Sequence, residues 1–341
     1  APPVVVAVGS GETTGTSLVV TDGCETVRAN SYSRPDPTLC MQILVTGATG
    51  FVGGNLVDAL LAADHEVTIL TRSRERYDGP EAVRVVEGNV LEPGSFDDAL
   101  DVDLAYYLIH SMGAGGDYAE RDRRAARNFA EAAEEAALDR VVYLGGLGAD
   151  GDDLSPHLRS RREVERILGL GDYDLTVLRA AIIIGAGSIS FQLIRQLSGR
   201  LPVMITPKWV HTKCQPIAID DVIGYLVGVA ETPETADETY EIGGPDVLTY
   251  AEILKETRRQ LGARLRIVPV PVLTPRLSSW WIRFVTDVDP AVARPLIDGV
   301  KNSVVVTDTR IQDILPRDRR HFEAAVADAL GDEPATTPTP K

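Results

Sequence analysis

The sequence is poor in lysine, poor in cysteine and free of long apolar runs. Only five of its 34 basic residues are lysines, and 50 acidic residues bring the formal net charge to -16. An acidic, lysine-poor surface repels nucleic acid and anionic membranes, which excludes both as partners. Because no apolar stretch is long enough to cross a bilayer, we expect a soluble globular protein without a membrane span.

The cysteines also limit the chemistry and the compartment. Cys24, Cys40 and Cys214 have neither the spacing of metal ligands nor that of a disulfide framework. We therefore predict no metal site and a reducing compartment, the cytoplasm. The excess of carboxylates over lysines is typical of salt-loving organisms, in which acidic side chains keep the surface hydrated, so we expect a halophilic protein.

Both ends of the chain differ in composition from its middle. Residues 1–40 are rich in Gly, Ser, Thr and Pro and lack the basic start of a secretory signal, since the first positive charge is Arg28. We expect a poorly ordered extension, and whether it belongs to the native protein stays open. Residues 332–341 are rich in Pro and Thr and are expected to form a disordered tail.

The segment 41–53 is the feature around which the chain is organised. A short apolar run at 43–45 has the flanks of a buried parallel strand, and 55–63 carry apolar positions at helical spacing. Glycines between strand and helix permit a tight turn, a close approach of pyrophosphate to backbone N–H groups, and close packing of helix on strand. A turn with only a packing role is the alternative. The predicted cofactor contacts here are Gly47, Thr49, Gly50, Phe51, Val52 and Gly53.

Strands and helices alternate regularly after this turn. Strands are predicted at 67–70, 83–87, 104–109, 140–144 and 175–179, with helices at 119–137 and 155–168 between them. Such alternation predicts a doubly wound, parallel α/β sheet of the Rossmann type. We assign 41–181 to a nucleotide-binding domain, whose sheet later segments complete, and 182–331 to a smaller C-terminal α/β substrate lobe. In that lobe we predict a helix ended by Gly199 and helix caps at Asp220 and Thr249.

The spacing of the three glycines is G-x-x-G-x-x-G. In this respect Thr46–Gly53 resembles the fingerprint of extended and atypical short-chain dehydrogenase/reductases, including NmrA-like proteins. The segments Tyr106–Gly113, Tyr143–Gly148 and Tyr240–Pro245 extend the resemblance, which covers roughly residues 41–261. It implies a Rossmann fold that binds NAD(P). That group includes reductases, redox-sensing regulators and the accessory subunit of respiratory complex I; with the acidic composition, we expect a haloarchaeal member.

The end of the second predicted strand indicates which cofactor is preferred. NAD enzymes usually place a carboxylate there to bind the ribose 2′-hydroxyl. Here the segment 70–74 contains no acid and two arginines, Arg72 and Arg74, which suit a 2′-phosphate. The alternative is a solvated arginine pair. We therefore expect NADP, with NAD as a possible second cofactor.

Two further strand ends supply candidate contacts. After the third strand, Asn89 and Val90 stand where the resembled family often places an Asp against adenine, although Asn89 is equally explained as a turn residue. Ile109 and His110 follow the fourth strand, and the carboxyl ends of parallel strands are where such sheets bind ligands. We expect His110 and Ser111 to contact the nicotinamide ribose or a substrate; the alternative is that His110 satisfies the loop backbone.

The standard catalytic set of the resembled family is absent. Its Ser would lie within Tyr143–Gly148, and its Tyr and Lys stand four residues apart on the next helix, where this chain has His157 and Arg161. Four residues of helix place both side chains on one face. His157 is the first candidate for proton exchange and His110 the second, while Arg161 is expected to hold the ribose. The alternative is that both are solvated helix positions.

Two classes of function remain. The first is an NADP-preferring oxidoreductase that acts on a small apolar carbonyl, enone or quinone. The second is a protein that binds NAD(P)H without turnover, as a redox sensor or as an accessory subunit of an NADH dehydrogenase-type complex. Neither the substrate nor the oligomeric state follows from the residues.

Overall fold

A computed structural model describes residues 40–111, 118–148, 154–200, 202–270 and 287–332. The predicted N-terminal extension and C-terminal tail lie outside these residues, apart from residues 40 and 332. Within the described ranges, no helix combines the length and apolar character needed to span a membrane. The strands, in chain order, are β1 (Gln42–Thr46), β2 (Glu66–Thr71), β3 (Arg84–Glu87), β4 (Leu104–Tyr107), β5 (Arg140–Gly146), β6 (Asp174–Ala180), β7 (Ile183–Ile184), β8 (Val203–Pro207), β9 (Lys213–Cys214), β10 (Ile217–Ala218), β11 (Thr239–Ile242), β12 (Leu248–Thr249) and β13 (Arg266–Val270).

Seven strands form one parallel sheet in the order β11-β6-β5-β4-β1-β2-β3. The order reverses between β1 and β4, which is the switch point where such sheets bind ligands at their carboxyl edge. The predicted doubly wound α/β fold is confirmed. The seventh strand comes from far along the chain, with Tyr240 paired to Leu178 in parallel register.

Helices cover both faces of this sheet. The helices of the described ranges are α1 (Phe51–Ala62), α2 (Tyr118–Glu135), α3 (Pro156–Leu168), α4 (Ile189–Arg200), α5 (Ile219–Glu231), α6 (Tyr250–Gln260), α7 (Pro290–Gly299), α8 (Arg310–Ile314) and α9 (Phe322–Gly331), of which α1, α5, α2 and α3 pack on the sheet. Because side chains alternate along a strand, Ile43 and Val45 of β1 share one core with α1 and α5, while Leu44 shares the other with α2 and α3.

The segments after β6 form a third core and three two-stranded ribbons, β7 with β10, β9 with β12, and β8 with β13. The predicted cap at Thr249 is confirmed, because its side chain and that of Glu252 form a reciprocal capping box. The predicted end of α4 at Gly199 is wrong: the helix continues to Arg200, and the Arg258 guanidinium donates hydrogen bonds to the last carbonyls.

The predicted cap at Asp220 is also wrong. Helix α5 begins one residue earlier, at Ile219, so its N-cap is Ala218 and no side chain caps it. Asp220 lies in the first turn and pairs with Arg320 at 3.3 Å. The helix starts earlier because the backbone of Ala218 is already held in the ribbon with β7, from which the chain turns directly into α5.

Candidate functional site

The turn after β1 is shaped by two glycines that the fold itself requires. Gly47 has φ +75°, a left-handed conformation that side chains disfavour, and a Cβ there would lie 3.0 Å from the Leu108 carbonyl oxygen. A Cβ on Gly53 would lie 2.3 Å from the Gly47 carbonyl oxygen. These positions fix the tight turn and the close packing of α1 on β1, as the sequence predicts.

Gly50 has a different role, because it is exposed and begins α1 as its N-cap. A Cβ at Gly50 would meet only the Gly47 oxygen, at 3.2 Å, so the space before it is open. Among the described side chains none caps this helix, and its first turn carries no acid. Phe51 and Val52 therefore begin a helix whose N–H groups and positive dipole end are available to an anion, which fits a pyrophosphate.

Thr46 anchors this turn to the next strand of the sheet. Its buried hydroxyl donates to the Tyr106 carbonyl oxygen at 2.9 Å and accepts from the Leu108 N–H at 3.1 Å. The glycine turn and the segment that leads to His110 are therefore held together by one side chain. No role for Thr46 is predicted from the sequence. Its place as the last, polar residue of a buried strand is the feature that could have indicated one.

The two arginines after β2 are exposed, and neither guanidinium forms an ion pair or hydrogen bond with any described residue. They are free to meet a 2′-phosphate. A carboxylate nevertheless reaches this turn: Glu87, the last residue of β3, accepts the backbone N–H of Arg74 at 2.5 Å. Glu87 lies outside the segment 70–74 from which the cofactor preference is predicted, and sheet pairing places it beside Thr71.

At the end of β3 the structure shows a turn role for Asn89. Its Oδ1 accepts the Leu91 N–H at 3.2 Å, and its Nδ2 donates to Glu92 Oε1 at 2.8 Å. The amide is thereby committed to the local turn, so its contact with adenine remains a prediction only. Val90 is buried, and its carbonyl oxygen accepts from Asn128 Nδ2 at 2.8 Å.

The two candidate histidines lie side by side. His110 stands in the segment after β4, next to the partly buried Ile109, and His157 lies in the first turn of α3; their ring centroids are 5.3 Å apart. The helix that carries His157 begins at Pro156 and is capped by Ser155, whose hydroxyl accepts the Leu158 N–H at 3.3 Å. Long-range packing thus joins two residues that are 47 positions apart.

A carboxylate that is not predicted from the sequence forms a hydrogen bond with His110. Asp122 of α2 has a side chain only 3% exposed; its Oδ2 lies 3.0 Å from His110 Nδ1, and its Oδ1 accepts the Ser111 N–H at 2.8 Å. Asp122 is hidden among the charged residues of α2. Its position on the helix could have indicated burial. Ala125, Ala126 and Phe129, which lie three, four and seven residues further on and therefore on the same helix face, are all buried.

Burial dominates the electrostatics of this cluster. Burial, with the positive charge of Arg161 next in importance, lowers the pKa of His110 to about 4 and that of His157 to about 3. Both rings are therefore neutral near pH 7. Burial alone would raise the pKa of Asp122, but hydrogen bonds from His110 and Ser111 outweigh it and lower that pKa, so the carboxylate is ionised.

Several polar atoms of the cluster are buried and have no hydrogen-bond partner within the described part of the chain. They are Nε2 of His110, Nδ1 of His157 and the hydroxyl of Tyr107. Arg161 is partly buried; its backbone carbonyl oxygen accepts from the Tyr143 hydroxyl at 3.2 Å, and its guanidinium has no partner among the described residues. Enclosed polar groups without partners are costly in a core and are typical of sites that hold ligands or exchange protons.

These features define a class: a Rossmann-type α/β protein with a glycine turn at the switch point of its sheet and a buried cluster of two histidines and an aspartate beside it. Residues 47–197 match a family described as NAD(P)H-binding. No group of three or more His, Cys, Asp or Glu side chains within the described part of the chain could hold a metal ion.

Similar proteins agree with this class. A 3-diazoavenalumate denitrifying reductase from Streptomyces sp is 27% identical over 276 residues, which cover 71% of this chain and 88% of that protein. The mitochondrial 40 kDa subunit of NADH-ubiquinone oxidoreductase from Neurospora crassa is 25% identical over 260 residues, 70% of this chain and 66% of the subunit. The structure of a nucleoside-diphosphate-sugar epimerase from Staphylococcus aureus matches with a TM-score of 0.68 and 16% identity, covering 84% of this chain and 100% of that one.

The chain thus has a Rossmann-type fold. Its residues 47–197 resemble NAD(P)H-binding proteins, and the proteins with similar sequences include oxidoreductases. The resemblance to NmrA-like proteins and to complex I subunits is confirmed at this level. The haloarchaeal source, the halophilic character and the cytoplasmic location remain predictions.

Proposed function

We propose that this protein is an NADP(H)-dependent oxidoreductase that acts on a small apolar carbonyl, enone or quinone. The observation that carries the proposal is the pair His110 and His157, enclosed beside the dinucleotide turn with Asp122 behind it. When bound, the nicotinamide supplies or takes up a hydride. The chain must then supply or take up the accompanying proton. A histidine within hydrogen-bond reach of the substrate oxygen can do so, because its ring interconverts between a neutral and a cationic form.

The binding residues divide by what they would hold. The N-terminus of α1 with Gly50 would hold the pyrophosphate. Arg72 and Arg74 would hold a 2′-phosphate, which a pair of free guanidinium groups binds better than the uncharged 2′-hydroxyl of NAD. Glu87 opposes this preference, because its carboxylate lies against the same turn. Arg161 would orient the nicotinamide ribose without itself titrating.

The reductase among the similar proteins supports turnover, although its substrate is its own. The experiment is to mix the purified full chain with NADPH or NADH and a panel of carbonyls, enones and quinones, and to follow the absorbance of the reduced nicotinamide. We expect oxidation of NADPH with at least one member of the panel. Tight binding of NADPH with no oxidation across the panel would contradict the proposal.

The second candidate is a protein that binds the cofactor without turnover, as a redox sensor or as an accessory subunit of an electron-transfer complex. Two observations favour it: the Ser-Tyr-Lys set is absent, and a respiratory complex subunit is among the similar proteins. The two candidates differ in the fate of the reduced cofactor. A sensor would bind NADPH and NADP+ with different affinities, measured by calorimetry, and leave every substrate unchanged.

A further inference from the structure

Two ring nitrogens that belong to different histidines are enclosed in the same part of the protein. Nε2 of His110 and Nδ1 of His157 are both buried, and neither has a hydrogen-bond partner among the residues that the structure describes. Their rings are tilted by 46° with centroids 5.3 Å apart. No direct hydrogen bond joins these two described rings, so a proton passes between them through a rotation of a ring or through an intervening water.

Asp122 determines where the proton of His110 resides. An ionised carboxylate can only accept hydrogen bonds, so the His110 nitrogen that faces it at 3.0 Å, Nδ1, must carry the proton. In the neutral ring the lone pair is then on Nε2. The backbone N–H of Ser111 occupies the other carboxylate oxygen, which fixes the orientation of Asp122.

We infer that Asp122, His110 and His157 form a proton relay, with Asp122 as a positioning residue that keeps the Nδ1 proton on His110. Nε2 of His110 then exchanges a proton with Nδ1 of His157, and Nε2 of His157 exchanges it with the substrate oxygen. The relay rests on the proposed oxidoreductase function. It adds to that function a role for Asp122, which acts through His110 and contacts neither substrate nor cofactor.

The step balances in both directions. In reduction, the substrate carbon receives a hydride, its C=O π pair moves to oxygen, and this oxygen takes the proton from Nε2 of His157. Nδ1 of His157 regains a proton from Nε2 of His110, which keeps its Nδ1 proton hydrogen-bonded to the ionised Asp122. The pair therefore begins with one added proton and ends neutral, and solvent restores the added proton. Oxidation of an alcohol runs through the same transfers in reverse.

The surrounding charges favour His110 as the resting place of the added proton. Arg161 opposes a positive charge on either ring, and among the described residues a carboxylate contacts His110 but not His157. The proton therefore moves toward Asp122 when the substrate gives it up. Among the described residues, the charged groups that act on the two rings are Asp122 of α2 and Arg161 of α3. Tyr118 of α2, Tyr107 of β4 and Tyr143 of β5 interact with Asp122, and Asp298 of α7 interacts with Tyr118.

The first test needs neither substrate nor cofactor. Nitrogen-15 NMR of the five histidines in the full chain, assigned with single His→Gln variants, reports tautomer and pKa directly. We expect His110 to be neutral at pH 7 with its proton on Nδ1, and both rings to titrate below the ordinary histidine pKa of about 6.5. A proton on Nε2 of His110, or ordinary titration of both rings, would overturn the relay.

The second test is Asp122→Asn, with Thr46→Val as matched control. Asn offers one acceptor oxygen instead of two, so its amide can donate to His110 Nδ1 and move the ring proton to Nε2. We expect that tautomer change, a fall in kcat of about tenfold or more and an unchanged KM for NADPH. Thr46→Val releases the Leu108 N–H of the same segment without touching His110, and should leave the tautomer as it is.

If both variants change the tautomer and kcat alike, Asp122 only holds the loop and the relay is wrong. If Asp122→Asn does not fold, the NMR titration of the unmodified protein still decides. The expected tautomer together with no turnover across the substrate panel would contradict the oxidoreductase function while leaving the arrangement of Asp122 and His110 established. The two proposals can therefore fail separately.

Discussion

The two halves of the sheet's carboxyl edge are built in different ways. Beside β1, β2 and β3, the nucleotide half consists of backbone and exposed arginines, with the space before Gly50 open. Beside β4, β5 and β6, the proton half consists of buried side chains brought together from a strand end and two helices. The first half is therefore suited to hold an anion, and the second to move a proton. Changes in one should affect binding, and changes in the other should affect turnover.

The largest effect is expected from Gly50→Val. A Cβ at this position meets only one protein atom, so the variant should fold, but its side chain would fill the space through which a pyrophosphate reaches the N–H groups of α1. We expect dinucleotide affinity to fall by about a hundredfold or more, since several charged hydrogen bonds of roughly 1.5–3 kcal/mol each are lost. Isothermal titration of the folded variant measures this.

The control for Gly50→Val is Gly54→Ala in the same helix, where a Cβ makes an ordinary contact of 3.6 Å with the Ala48 oxygen. That variant should bind as the unmodified protein does. Equal dinucleotide affinities of Gly50→Val and the unmodified protein would contradict a phosphate site at this turn. They would also contradict the assignment of binding to the nucleotide half and of proton transfer to the proton half.

The next largest effect is expected from His157→Phe, which keeps the ring volume and removes the proton carrier. We expect kcat to fall by about a hundredfold, the usual contribution of a general acid or base, while NADPH affinity is kept. Arg161→Ala should weaken NADPH binding before it lowers kcat, because Arg161 is expected to hold the nicotinamide ribose. Steady-state kinetics and titration of both variants separate the two roles. Full activity of His157→Phe with the same pH profile would exclude this residue from the mechanism.

The pH profile sharpens the same prediction. Burial keeps the pKa of His157 and of His110 below the ordinary value, so the pair carries its added proton only at acid pH. Carbonyl reduction should therefore slow as pH rises through a midpoint below about 6.5, and the reverse oxidation should speed up. A reduction rate that stays constant from about pH 4 to pH 8 would count against both histidines as the proton source.

A smaller effect is expected in the nucleotide half from Arg72→Ala. We expect the unmodified protein to prefer NADPH over NADH by about tenfold, and this variant to lose most of the preference. Glu87→Gln should raise NADPH affinity a few-fold, since it removes a negative charge beside the same turn. All affinities must be measured at one salt concentration because these charges are exposed. Equal affinities for both cofactors in the unmodified protein would leave the arginines without this role.

The last prediction concerns stability. The pKa of both histidines is lower in the folded chain than in the unfolded chain. Below about pH 6.5 the unfolded chain therefore binds protons at these residues that the folded chain does not bind. The free energy of unfolding should therefore fall as pH drops from about 6.5 toward about 4, by on the order of 3 kcal/mol for a shift like that of His110. His157→Phe should reduce this loss, seen as a melting temperature that falls a few degrees less. Identical pH slopes would show that burial of His157 costs nothing.

The difference between the two halves also explains what the sequence could predict. Gly47, Gly50 and Gly53 form a local pattern whose geometry follows from strand, turn and helix, and the model of the fold built on them is confirmed. Asp122 and Glu87 reach their partners through packing of α2 and pairing of β3, and no local pattern records either contact. His157 was found only because a family resemblance marked its position. The lowering of its pKa depends on burial, which periodicity in the sequence does not measure.

The position of β11 at the edge of the sheet has a consequence for synthesis. Strand β6 ends at Ala180 and its partner β11 begins at Thr239, so roughly 60 residues emerge between them, which takes several seconds at about 5–20 residues per second. During that interval the N–H and C=O groups along one side of β6 have no neighbour. An unpaired strand edge can pair with a second chain. Any shortened version that stops before Ile242 is therefore expected to aggregate, even though its dinucleotide turn is complete.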